Sequence, residues 1–173
     1  MTNKQLQTII SNMDAPELQE IILSLNSKSK DAKTILDVNF GGVDVQKKFF
    51  LAVEKLEKCF KRAGEYKRSG PKIKDAKKII SDFKKFFGDR ENKVLELNLE
   101  YCELLAGTLS EFGGGEESWE DSLCLVFEDC CEQVKKEQLE SLYLSKLIEI
   151  NRTLNQNYCE LIQGTLDEYF ENT

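Results

Sequence analysis

Residues 71–88 read PKIKDAKKIISDFKKFFG, and the spacing of their apolar side chains decides the fold class. Ile73, Ala76, Ile80, Phe83 and Phe87 recur at steps of three and four residues, the interval at which side chains line one face of an α-helix. Lysines fill the positions between them, Pro71 precedes the pattern and Gly88 stops it. A half-buried strand would alternate apolar and polar residues, and no window of the chain does so. No Asn-Gly or Asp-Gly turn joins two β-rich runs either. The chain is therefore expected to be all-α.

The same period extends in both directions and predicts about seven helices. Near the start, Lys4–Ser11 forms a short helix, and Asp14 with Glu17 three residues on has the spacing of a capping box, with Pro16 in the first turn. Leu18, Ile21, Ile22 and Leu25 make the expected buried stripe of that second segment. A short helix near Lys30–Val38 should end at Gly41 and Gly42. Asp44 opens a longer one in which Val45, Phe49, Ala52, Val53, Leu56 and Phe60 repeat, closed by Gly64. After residues 71–88, a helix from about Asp89 to Phe112 breaks at Gly113, Gly114 and Gly115. Ser118 is placed to cap the helix carrying Trp119, Leu123, Phe127, Cys130 and Val134. Its partner should start near Glu137 with Leu139, Leu142, Tyr143, Leu147 and Ile150, and a last helix reaches Phe170. Short links make neighbours antiparallel. The expected architecture is one domain over residues 1–173, a helical bundle or a short α-solenoid with HEAT-like stacking of helix pairs. It divides into an N-terminal hairpin region (1–43), basic helices (44–88) and acidic helices (89–173).

Composition narrows the chemistry. A chain of 173 residues, 40% hydrophobic and 32% charged with 10 Gly and 2 Pro, is neither low-complexity nor collagen-like. At this size a domain buries roughly 70% of its unfolded surface and needs no disulfide staples. No apolar run is long enough to span a bilayer, and MTNKQLQTIISNM has neither a basic n-region nor an apolar h-region, so a cytoplasmic protein with no membrane partner is expected. There is no histidine. That absence excludes Ser-His-Asp and Cys-His catalysis, histidine metal sites and the usual neutral-pH base. The six cysteines, Cys59, Cys102, Cys124, Cys130, Cys131 and Cys159, show no Cys-x-x-Cys pair and read as reduced, buried small hydrophobes. A site built from Cys102, Cys124, Cys131 and Cys159 is geometrically conceivable. Acidic side chains are numerous, but di-metal carboxylate bundles rely on Glu-x-x-His, and residues 113–121, GGGEESWED, lack the ligand spacing of an EF-hand. No catalytic, cofactor-binding or metal residue is assigned.

Charge is distributed unevenly. Residues 1–46 hold 4 basic and 6 acidic side chains, residues 47–90 hold 15 and 6, and residues 91–173 hold 5 and 19, so the net −7 conceals a basic middle and an acidic C-terminal half. The candidate interaction surface is Lys61, Arg62, Lys67, Arg68, Lys74, Lys77, Lys78, Lys84 and Lys85. Such a stretch could track phosphates, or it could solvate two amphipathic helices and face the acidic half across the fold or across a dimer. Single-strand recognition would further require aromatics exposed between the charges.

One segment is repeated. YCELLAGTLSEF at 101–112 matches YCELIQGTLDEY at 158–169 at eight of twelve positions, including the Tyr-Cys and Gly-Thr pairs that amphipathic patterning does not require. Gly107 and Gly164 each cost a helix roughly 1 kcal/mol relative to alanine, which suggests that another backbone approaches closely there. Stacked helical repeats commonly present a concave face to a partner, whereas a pseudo-symmetric bundle need not.

Residues 71–85 and the pattern of Leu6–Leu25 resemble an uncharacterised bacterial family of small helical proteins, a domain of unknown function. Its members open with a helical hairpin and pass through a lysine-rich helix into a segment like KDAKKII at 74–80. The resemblance implies an all-α fold and a cytoplasmic bacterial protein, and carries over no activity and no site residue. The functional expectation is a non-enzymatic protein-interaction or scaffold module, using no cofactor, with a hetero-partner or self-association through the opposed charge blocks. The alternatives are nucleic-acid binding through residues 47–90 and, last, a metal-dependent enzyme using acidic residues.

Overall fold

The computed structural model describes residues 1–61, 70–88, 92–112, 116–154, 158 and 160–170. Every regular element among them is an α-helix: α1 (Asn3–Ser11), α2 (Ala15–Lys28), α3 (Lys30–Phe40), α4 (Val45–Phe60), α5 (Ile73–Phe87), α6 (Lys93–Phe112), α7 (Glu117–Lys136), α8 (Glu140–Thr153) and α9 (Glu160–Phe170). These nine, rather than about seven, are the segments that the apolar period marks one after another, and the first three open on side-chain caps. The Glu17 amide donates to Asp14 Oδ1 at 2.9 Å while the Asp14 amide donates to Glu17 Oε2 at 3.0 Å, the full capping box. The Ala32 amide donates to Ser29 Oγ at 3.2 Å, which begins α3 within two residues of the end of α2.

The chain divides into two compact units, Met1–Val45 and Gln46–Thr173. In the first, α2 packs against α3, and Val38 is the buried side chain of the three helices. The expected buried stripe of α2 is not buried. Leu18 is half-exposed, and Ile21, Ile22 and Leu25 are 42%, 47% and 50% exposed. Helices of 9, 14 and 11 residues present more apolar surface than so small a unit can enclose.

The second unit has a true core centred on α6, which packs against α5, α7 and α8 while α7 also packs against α9. Ten residues of α6 are buried and span about 200° of its circumference, wider than the stripe of a surface helix. On α5 the buried side chains are Ala76, Ile80, Phe83 and Phe87, as the period predicts, with Ile73 partly covered. Gly88 ends this helix at φ 61°, ψ −161°, a region that side-chain-bearing residues almost never adopt.

Three helix starts differ from expectation, the first being α6, which begins at Lys93 rather than about Asp89. Glu116, not Ser118, precedes α7; Ser118 lies inside the helix, its hydroxyl donating to Glu116 Oε2 at 3.4 Å. Helix α8 begins at Glu140 rather than near Glu137, because Gln138 takes φ 56°. Its amide donates to the Lys135 carbonyl at 3.3 Å and the Leu139 amide to the Val134 carbonyl at 2.8 Å, the two bonds of a Schellman stop. The Gly64 and Gly113–Gly115 breaks lie outside the described residues.

Candidate interaction surface

Helix α5 has two distinct faces. At about 100° per residue, Lys74, Lys77, Lys78, Lys84 and Lys85 fall within an arc of about 120°, centred roughly 130° from the side bearing Ala76, Ile80 and Phe83. All five are exposed. On α4 the same logic places Lys47, Lys48, Lys55 and Lys58 outward while Phe49, Ala52, Leu56 and Cys59 turn inward. The two helices meet through the Phe49 and Phe83 rings, whose centroids are 6.4 Å apart at 78°. Of the remaining candidates, Lys61 is exposed at the end of α4, with its Nζ 3.6 Å from Glu57 Oε2 on its own helix. Arg62, Lys67 and Arg68 lie outside the described residues. The lysines of α4 and α5 thus form a solvent-facing layer over an aromatic base.

Sequence reasoning missed the groove between these helices. A cleft of about 320 Å³ is lined by Lys48, Leu51 and Lys55 from α4 and by Ile79, Asp82 and Phe86 from α5, with Phe83 and Phe87 beneath. Leu51 is 41% exposed, and Lys85 Nζ sits 5.1 Å from the centre of the Phe86 ring, a cation–π distance. The available signal was an apolar residue off the core stripe: Leu51 lies on the lysine side of α4.

The acidic half is pinned by ordered polar contacts. Lys93 Nζ donates to Glu96 Oε2 at 2.8 Å, Tyr143 Oη to Glu96 Oε1 at 3.1 Å, and Lys146 Nζ to Glu103 Oε2 at 2.5 Å, tying α8 to α6. Burial pushes the Glu100 carboxyl above its ordinary range against the pull of Lys146, and Glu103, Glu57 and Glu96 raise it further. A second cleft, about 510 Å³, runs along this side past Glu57, Phe60, Glu103, Gly107 and Thr108. Asn151 Oδ1 is buried and finds no hydrogen-bond partner among the described residues, while its Nδ2 donates to Gln163 Oε1 at 2.5 Å. The residue borders a space of about 370 Å³ between α8 and α9, large enough for a water that would satisfy it.

Four of the thiols do not resemble nucleophiles. Burial pushes Cys59 and Cys124 up and Cys131 up to about 12; Cys130 is raised further by its hydrogen bond with Cys102 and its own burial. A reactive thiolate needs the opposite shift. Among the described residues, no group of three or more Cys, Asp or Glu side chains is arranged to hold a metal ion; Cys159 lies outside them. No helix among them is long and apolar enough to cross a membrane.

The duplicated segments supply Tyr101–Phe112 of α6 and most of α9. The close backbone approach expected at their glycines is absent: a Cβ at Gly107 or Gly164 would meet nothing within 4 Å. Gly70 and Gly41 are the described glycines under real contact, since a Cβ would collide with the Trp119 ring at the first and with the Asp37 backbone at the second. Comparisons with protein-family models, with curated proteins and with solved structures each find no match.

Proposed function

We propose that the protein is a non-enzymatic interaction module that binds an acidic protein surface through the lysine layer of α4 and α5. The supporting observation is that all five described α5 lysines are exposed on one arc, with the Phe83 ring of the same helix set edge-on to Phe49 of α4. The raised thiols of Cys59, Cys124, Cys130 and Cys131 and the absence of histidine weigh against thiolate and imidazole catalysis, which favours binding. A bundle or a short solenoid of stacked, HEAT-like helix pairs suits that role. The reading goes with a cytoplasmic, bacterial setting, as the resemblance of residues 71–85 implies. In a pull-down from native cytosol at ~0.1 M salt, the wild-type chain should retain a partner that Lys77→Glu/Lys84→Glu loses, with retention falling at higher salt as screening grows. Retention of the same proteins by both chains would exclude the lysine layer as the binding surface.

Nucleic-acid binding is a second reading, favoured by Phe50, which is 57% exposed beside Lys47 and Lys48 and could stack on a base. Affinity for single strands that drops steeply with salt and with Lys77→Glu/Lys84→Glu would establish it. Undetectable binding at low salt would dismiss it.

A further inference from the structure

Helix α7 exposes a stripe complementary to the α4/α5 groove. Asp121, Leu125, Glu128, Asp129 and Glu132 lie within about 60° of Leu125 around the helix, and all are exposed. Leu125 itself is 60% exposed, a large apolar residue set among carboxylates. The groove has the reverse composition: Leu51 sits between Lys48 and Lys55 over an apolar floor. The spacings also agree. Lys48 and Lys55 are seven residues apart, as are Asp121 and Glu128, so each pair spans about 10 Å, two turns of helix. Run antiparallel, the steps coincide: four residues from Lys55 to Leu51 and from Asp121 to Leu125, then three from Leu51 to Lys48 and from Leu125 to Glu128. Asp82 is the carboxylate of the groove lining, and Lys78 and Lys85 stand one turn to either side of it on α5.

From this complementarity we infer that the α4/α5 groove receives the α7 stripe of a second copy of the chain, Lys55 facing Asp121, Leu51 against Leu125 and Lys48 facing Glu128. This rests on the interaction reading above and names its partner. The contact joins two different surfaces, so it repeats head to tail and builds a ring or an open filament rather than a two-fold dimer. The leucines exclude water at the centre while the flanking charges set register and orientation.

Sedimentation velocity of the full chain tests it. At ~0.1 M salt the wild type should grow beyond monomer mass with concentration. At ~1 M salt, where the Debye length falls from ~10 to ~3 Å, association should weaken by about tenfold or more. Lys48→Glu/Lys55→Glu and Asp121→Lys/Glu128→Lys should each be monomeric alone, and an equimolar mixture should associate again because the swapped charges are complementary. All four positions are exposed or on the groove rim; should a charge-reversed chain fail to fold by circular dichroism, Lys48→Gln/Lys55→Gln serves as the groove variant. A wild type that stays monomeric at low salt, swapped chains that associate as the wild type does, or a mixture that stays monomeric overturns the inference. A monomeric wild type that still retains a partner lost by Lys77→Glu/Lys84→Glu overturns self-docking alone and leaves the interaction module standing.

Discussion

Residues 101–112 and 158–169 share eight side chains, yet the fold treats them differently. In α6, Tyr101 is fully buried, its hydroxyl 2.6 Å from Ser122 Oγ, and burial pushes its pKa up to about 12. Tyr158 lies ahead of α9 and is half-exposed. Thr108 is buried and donates to the Leu104 carbonyl at 2.7 Å, while Thr165 is partly open. What persists is the inner pair: Leu105 and Leu109 in one copy and Ile162 and Leu166 in the other are all buried. The duplication thus preserves one packing stripe, and the number of neighbours decides the fate of the rest. Helix α6 is covered by α5, α7 and α8, whereas α9 packs on α7 and α8 at the margin of the unit.

The sharpest way to break this contrast is to truncate matched leucines. Leu109→Ala should cost about 3 kcal/mol by removing a fully buried side chain, and its counterpart Leu166→Ala, 6% exposed at the margin of the unit, about 2 kcal/mol. Thermal denaturation measures both; equal losses would mean that α9 is as enclosed as α6. Next come the tyrosines. Tyr101→Phe should cost about 1–2 kcal/mol by orphaning the buried Ser122 hydroxyl, and Tyr158→Phe within about 0.5 kcal/mol.

Tyr101 can also be followed in alkali. Tyr101 is raised in the folded state, so its contribution is present below the ordinary tyrosine pKa of about 10 and is lost as pH rises toward about 12, where the unfolded chain releases its proton first. In an ultraviolet titration Tyr101→Phe should delete a late-titrating tyrosine.

The smallest effect should be shared. Gly107→Ala and Gly164→Ala should each stabilise by about 0.5–1 kcal/mol, since the new methyl enters open space and helix propensity improves. A melting temperature lowered by either change would restore a packing role for that glycine. Gly70→Ala forms the contrasting case: it must displace Trp119, the one tryptophan, and so should shift the emission spectrum.

The legible features were local ones. The Asp14–Glu17 box, the α5 core positions and the Gly88 stop each depend on residues within one or two turns, so spacing alone revealed them. Ser118 misled because a capping residue type is common inside first turns too, and only backbone dihedrals tell the cap from its neighbours. The α2 stripe misled for another reason. Amphipathic spacing shows which side of a helix is apolar, not whether anything covers it, and Ile21, Ile22 and Leu25 stayed substantially exposed. The same gap hid the α4/α5 groove, where two lysine helices place Leu51 and Phe86 together.

By itself, then, the sequence determined the helical class, most helix limits, the basic and acidic blocks and the absence of histidine chemistry, because backbone preference and charge are carried residue by residue. Tertiary structure alone decided which copy of the repeat is enclosed, that the glycines face open space, and that the lysine layer overlies an apolar cleft. Those outcomes depend on which helices become neighbours, a relation between residues far apart in the chain that no local pattern contains.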